Sequence, residues 1–119
     1  MNKKRDRTLM KITRITTAVV EGNFDWTIVR IETNEDLQGF GECYFAPGLT
    51  TIVAELGLLL VDEDPRDVQR LFRKMQMAAS GAGSVAGIVY NAITGIETAL
   101  WDVSAKAAGV PLYQMMGGK

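Results

Sequence analysis

Residues 93–107 carry the pattern that most constrains the fold. Ile93, Ile96, Leu100, Val103 and Ala107 recur at intervals of 3, 4, 3 and 4. An α-helix, at 3.6 residues per turn, brings such positions onto one apolar stripe. The stripe predicts a helix from Ser84, which can cap it, to Ala108. Gly109 then supplies a left-handed stop, and Pro111 prevents continuation. Asp102 and Lys106 stand one turn apart in the favourable order. Gly87 and Gly95 weaken such a helix, each by up to about 1 kcal/mol against alanine. Two readings stay open for them: close approach of another backbone, or plain tolerance. A helix with so long a buried stripe needs a broad apolar partner.

The first half of the chain has the period of strands. Trp26 to Thr33 alternates, with Trp26, Ile28, Arg30 and Glu32 on one side and Thr27, Val29, Ile31 and Thr33 on the other. Met10 to Val20 sets Ile12 and Ile15 among β-branched threonines with imperfect alternation. Gln38 to Tyr44 reads as a short third strand. Turn formers and one phenylalanine fill the first link, residues 21–25, and Asn34-Glu35-Asp36 is short enough for a hairpin. Three sequential strands with short links predict an antiparallel meander.

Two more helices are expected before the long one. Thr50 or Thr51 can cap a run in which Ile52, Val53, Leu56, Leu59 and Leu60 fall at helical spacing. Asp64-Pro65-x-Asp67 combines an N-cap acceptor, a proline at the first helical position and an acid near the positive helix end. Behind it, Val68, Leu71, Phe72 and Met75 form an apolar stripe opposite Arg66, Arg70, Arg73 and Lys74. Ser80 to Gly83 breaks that helix. The fold class is therefore α+β, a three-stranded antiparallel meander followed by a three-helix bundle.

Composition narrows the function. Apolar residues make up 47 % of the 119 and charged residues 23 %, with a formal net charge of −1. That balance gives no reason to expect nucleic acid or a membrane as partner. The basic cluster Lys3, Lys4, Arg5 and Arg7 reads as a solvated tail. Cys43 is the sole cysteine, which forbids an internal disulfide and fits a reducing cytoplasm. The chain has no histidine, the commonest general base and metal ligand. Chemistry would fall to carboxylates or lysines, and these do not converge. Gly39-x-Gly41 precedes no helix and is not a dinucleotide loop. Glu42 is expected to tie down a neighbouring backbone or arginine, and Cys43 to fill the core. Glu97 and Asp102 lie about 140° apart around a helix axis. The acidic cluster Asp62-Glu63-Asp64 is explained by capping, and Met75, Met77, Met115 and Met116 by core filling.

Two segments stand out instead. Asn23-Phe24-Asp25-Trp26 follows the first strand, and Tyr44-Phe45-Ala46-Pro47-Gly48 follows the third. A three-stranded meander brings them out at the same end of the sheet. Each mixes aromatic rings with hydrogen-bonding groups, as recognition surfaces do. Anchoring of the loops to the core is the alternative.

The order of these signals resembles a known family. The stretches K-I-T-R-I-T-T, I-V-R-I-E-T-N-E-D-L-Q-G-F-G-E, D-P-R-D-V-Q-R-L-F-R-K-M and A-I-T-G-I-E-T-A-L-W-D-V-S-A-K-A-A-G-V-P-L-Y-Q-M-M-G-G-K are similar to the N-terminal capping domain of the enolase superfamily. The resemblance is to the mandelate racemase and muconate lactonizing enzyme branch, covers the chain from about Met10 onward, and is strongest toward acid-sugar dehydratases of the galactonate dehydratase kind. Two positions depart from the family pattern. Asp36 stands where the hairpin usually carries glycine, a place that calls for a left-handed backbone, which aspartate tolerates better than most residues. Ala105 stands where the long helix often carries glycine.

The resemblance implies a division of labour. A modified (β/α) barrel, about 250 residues long, would hold the catalytic lysines or histidines and the carboxylates for Mg2+. A base there removes the proton alpha to a carboxylate, and loss of a beta hydroxyl follows in dehydratases. The capping domain contributes its two loops as a lid that excludes water and selects the substrate's far end. Asn23, Asp25 and Tyr44 are then the polar substrate-binding residues, with Phe24, Trp26 and Phe45 shaping the pocket. No catalytic or metal residue is expected within the 119, which alone would be inactive. The expected organisation is a tail over 1–9, the capping domain over 10–110 and a linker over 111–119, cut before the barrel. The implied partners are that barrel, a small carboxylate such as a sugar acid, and further copies in a homo-oligomer. A racemase, epimerase or cycloisomerase of the same branch is the alternative, and a stand-alone binding or assembly module the contrasting one.

Overall fold

β1 (Ile12–Val20), β2 (Trp26–Thr33) and β3 (Gln38–Tyr44) form one antiparallel sheet in the order β1-β2-β3. The computed structural model describes residues 10–119, so the expected tail and its basic cluster lie outside the described residues. The bounds of β2 and β3 are those read from the alternation. β1 begins at Ile12 rather than Met10, and its register shifts between Ile12 and Arg14. That irregularity is the reason for the imperfect alternation, because an extra residue flips the faces beyond it. The hairpin from β2 to β3 places Asp36 at φ 57, the left-handed region expected there. Thr33 ties the turn by donating its hydroxyl to the Leu37 carbonyl at 2.8 Å.

The inner face of the sheet consists of Ile12, Thr27, Val29, Ile31, Gly39, Gly41 and Cys43, all buried. Of the helices α1 (Leu49–Leu58), α2 (Val68–Ala78) and α3 (Ile88–Ala108), the first and third lie on the sheet and α2 packs against α3; the short α4 (Leu112–Met115) follows. The expected linker thus contains a turn of helix. Ile93, Ile96, Leu100 and Val103 are fully buried, as the 3-4-3-4 stripe requires, and Leu71 and Met75 of α2 join the same core. Among the other methionines the expectation of core filling fails: Met77 and Met116 are exposed and Met115 is half-buried.

All three expected helix starts are displaced. α1 begins after Gly48 at φ 86, and α3 after Gly87 at φ 81, neither with a side-chain cap, so Thr50, Thr51 and Ser84 do not cap. Ser84 bonds within its own turn, to Ala86. Asp64 accepts the Arg66 N–H at 2.9 Å and closes a turn over 64–67, and α2 starts only at Val68. A polar side chain that finds a local turn partner is lost to the helix beyond it. The end of α3 is as expected, with Gly109 left-handed at φ 69.

Three glycines let α3 lie directly on β3. A Cβ at Gly39 would stand 2.1 Å from the Ala99 carbonyl oxygen, one at Gly41 2.0 Å from that of Gly95, and one at Gly95 2.0 Å from Cys43 Sγ. For Gly95 the close-approach reading is the right one. A Cβ at Gly87 would meet nothing within 4 Å beyond its chain neighbours, and the glycine serves its positive φ instead. Gly39-x-Gly41 is a packing groove.

Close approach puts α3 beside the free edge of β3, and its side chains pair that edge as a fourth strand would. Asp102 accepts the Phe40 N–H at 2.8 Å, and Lys106 donates to the Gln38 carbonyl at 2.8 Å. The expected Asp102–Lys106 pair is present at 2.9 Å, and the ammonium also sits 5.0 Å from the Phe40 ring centroid. Near the start of α3, Asn91 pairs with Tyr44. On the other edge, Ile12 exchanges backbone bonds with Glu63 and Asp62, each at 2.9 Å.

Candidate functional site

Three strand ends meet at one end of the sheet. Trp26 is the register partner of both Val20 and Tyr44, so the link 21–25 and the segment 44–48 emerge side by side, as expected from a meander. All six expected substrate-binding residues are in this cluster, and all are exposed: Asn23, Phe24, Asp25, Trp26, Tyr44 and Phe45. Phe24 and Trp26 pack edge to face with centroids 6.3 Å apart, an arrangement aromatic quadrupoles favour. Phe24 is nonetheless 71 % exposed and Tyr44 78 %. Rings anchoring loops to a core would be buried, so the anchoring alternative does not describe these two. Among the described residues, the side chains of Asn23 and Asp25 carry no hydrogen bond or ion pair.

The two loops are built differently. The 44–48 segment is fixed at both ends. Asn91 holds the Tyr44 backbone, while the Leu49 N–H bonds the Ala46 carbonyl at 3.0 Å and the Leu49 side chain is fully buried. The link 21–25 is closed by the Val20–Trp26 pair and by Phe24–Trp26 packing. Sequence reasoning missed Asn91. Its signal was an amide in the first turn of a helix, which shows a role only once that turn is known to lie against Tyr44.

Glu42 corrects its expectation: it points outward, exposed, and ties down neither backbone nor arginine among the described residues. Cys43 is the buried core residue expected, and desolvation pushes its thiol pKa up, away from reactivity. Glu63 is held below the usual carboxylate range by hydrogen bonds from Arg70 and Lys74, and Asp64 likewise by Arg66. These ion pairs brace the start of α2 and do not face the loop cluster. Among the described residues, no three His, Cys, Asp or Glu side chains converge to hold a metal ion. The described residues do not fit a Mg2+ site. No helix among them is long and apolar enough to cross a membrane. The cluster at the sheet end sets exposed aromatic rings beside the polar groups of Asn23, Asp25 and Tyr44.

Sheet, helices and exposed loop cluster define an α+β domain. The chain belongs to the family described as the mandelate racemase / muconate lactonizing enzyme N-terminal domain, which matches residues 5–117. It is 44 % identical to a D-xylonate dehydratase of Haloferax volcanii over 92 % of its own length and 26 % of that protein. A D-galactonate dehydratase of Verminephrobacter eiseniae is 39 % identical over 92 % of the chain and 28 % of its own length. Among solved structures, a mandelate racemase/muconate lactonizing enzyme-like protein from Rubrobacter xylanophilus superposes with a TM-score of 0.85 at 42 % identity, covering 92 % of this chain and 28 % of that one. A Burkholderia xenovorans protein solved with magnesium and fumarate bound superposes at 0.83 with 30 % identity, over 92 % of this chain and 28 % of its own. The chain thus spans little more than a quarter of the length of the relatives it matches. It is an N-terminal domain of the enolase superfamily.

Proposed function

We propose that this domain caps the active site of an acid-sugar dehydratase, with the loops 22–26 and 44–48 as the substrate-selecting part of its lid. The observation that carries the reading is the exposure of Phe24 and Tyr44 at one end of the sheet, on either side of Trp26. Phe24, Trp26, Tyr44 and Phe45 are all exposed at this one end, and aromatic surface gathered in this way marks a contact site, where a single exposed ring would not. The activities for which the two relatives are named, on D-xylonate and D-galactonate, support a sugar acid as substrate. Asn23, Asp25 and the Tyr44 hydroxyl would bond substrate hydroxyls, and Phe24, Trp26 and Phe45 would exclude water around them. The proton abstraction, the Mg2+ and its ligands belong to the part of the parent beyond this domain, and residues 111–119 would lead there.

The test is a comparison of the parent protein with the 119-residue domain, each supplied with Mg2+ and a panel of aldonic acids. The parent is expected to release the dehydrated keto acid, and the domain alone to give no turnover. Turnover by the domain alone would overturn the capping role.

A further inference from the structure

Tyr44 is held more firmly than its position at the end of a strand requires. It closes β3, the edge strand, where backbone groups lack a neighbouring strand. One side chain takes both of its backbone groups. The Asn91 Oδ1 accepts the Tyr44 N–H at 3.3 Å, and the Asn91 Nδ2 donates to the Tyr44 carbonyl at 2.8 Å. An asparagine amide offers a donor and an acceptor in one plane, the pairing a further strand would supply. Beyond that clamp the Tyr44 ring is 78 % exposed, and its hydroxyl bonds nothing among the described residues. The root is fixed and the tip is free.

We propose that Asn91 is a positioning residue: it fixes the direction in which Tyr44 enters the substrate pocket. This rests on the reading of 44–48 as part of the lid. Asp102 and Lys106 bond the same edge farther along, at Phe40 and Gln38, so β3 stays on α3 when Asn91 is changed. The effect of Asn91 is therefore local to Tyr44. A contact aimed by its backbone lowers the ordering cost of binding, which appears in KM more than in kcat.

The experiment uses the parent protein with Asn91→Leu, which keeps size and removes both bonds, and Asn91→Asp, which keeps the acceptor and loses the donor. Hydrogen exchange reads the clamp, and steady-state kinetics on the best aldonic acid read the positioning. For Asn91→Leu, exchange of the Tyr44 amide is expected to rise on the order of thirtyfold, the worth of a pair of net hydrogen bonds. KM is expected to rise by a similar factor while kcat stays within about twofold. Asn91→Asp should fall between wild type and Asn91→Leu in both. Unchanged exchange overturns the clamp. Faster exchange with unchanged KM overturns the positioning role, while the lid reading stands if Tyr44→Ala still raises KM. If Tyr44→Ala also leaves KM unchanged, the lid reading fails and the positioning role fails with it.

Discussion

Gly95→Ala and Gly41→Ala place the same methyl group in the same helix–strand seam, yet they should respond differently to one further change. At Gly95 the new Cβ meets Cys43 Sγ at 2.0 Å, with Val29 Cγ2 at 3.2 Å and the Glu42 carbonyl oxygen at 3.3 Å. Ordinary contact is about 3.5–4.0 Å, so the sulfur would have to move well over 1 Å inside a packed core. Overpacking of this kind costs about 1–3 kcal/mol. Replacing a helical glycine by alanine returns up to about 1 kcal/mol, so the single variant should lose roughly 1–2 kcal/mol. Cys43→Ala alone removes one buried atom, and should cost about 1 kcal/mol. Combined, the sulfur is gone, the remaining neighbours need only yield by tenths of an ångström, and the helix-propensity gain survives. The double variant should thus lie within about 1 kcal/mol of wild type, a favourable coupling of about 1–3 kcal/mol. At Gly41 the obstacle is the Gly95 carbonyl oxygen, 2.0 Å away, and no side-chain truncation removes it. Gly41→Ala should cost about 3 kcal/mol or more, and equally in the Cys43→Ala background. Urea unfolding followed by circular dichroism gives the stability of all five variants. Simple additivity of Gly95→Ala with Cys43→Ala, or rescue of Gly41→Ala by Cys43→Ala, would refute the account of the seam.

Two other expectations follow from single residues. Asp36 occupies a left-handed conformation at φ 57, so Asp36→Gly should stabilise by up to about 1 kcal/mol and Asp36→Val should destabilise by about 1–2 kcal/mol, read as opposite shifts in Tm. Glu63 has its pKa lowered by hydrogen bonds from Arg70 and then Lys74. A depressed carboxylate stabilises the fold above its unfolded pKa of about 4.3 and loses that contribution as pH falls through the folded value. Glu63→Gln should therefore flatten the acid side of the stability profile below about pH 4, and an unchanged acid limb would contradict the role given to that pair.

How much of this was legible in the sequence varies with the range of the forces involved. The stripe Ile93-Ile96-Leu100-Val103 and the alternation in Trp26–Thr33 are periodic signals summed over many residues, and both elements are where those signals put them. Helix starts depend on one side chain choosing among nearby partners, and Asp64 and Ser84 both chose a turn. The closing of the β3 edge by Asn91, Asp102 and Lys106 was not legible beyond the Asp102–Lys106 pair. It depends on which helix face lies over which strand, and that is set by Gly39, Gly41 and Gly95 acting together. For the candidate site, strand order alone brought the two aromatic loops to one end. Their exposure, and the clamp on Tyr44, needed the packed structure.

The central claim is that the loops at this sheet end choose the substrate while the metal is held elsewhere in the parent. The most direct measurement is kcat/KM across a panel of aldonic acids for the parent and for its Asp25→Ala and Tyr44→Phe variants, with Mg2+ affinity titrated in each. Relative preference among the acids should shift on the order of tenfold, the worth of one substrate hydrogen bond, with Mg2+ affinity unchanged. Unaltered preference in both variants, or a loss of Mg2+ affinity in either, would contradict it.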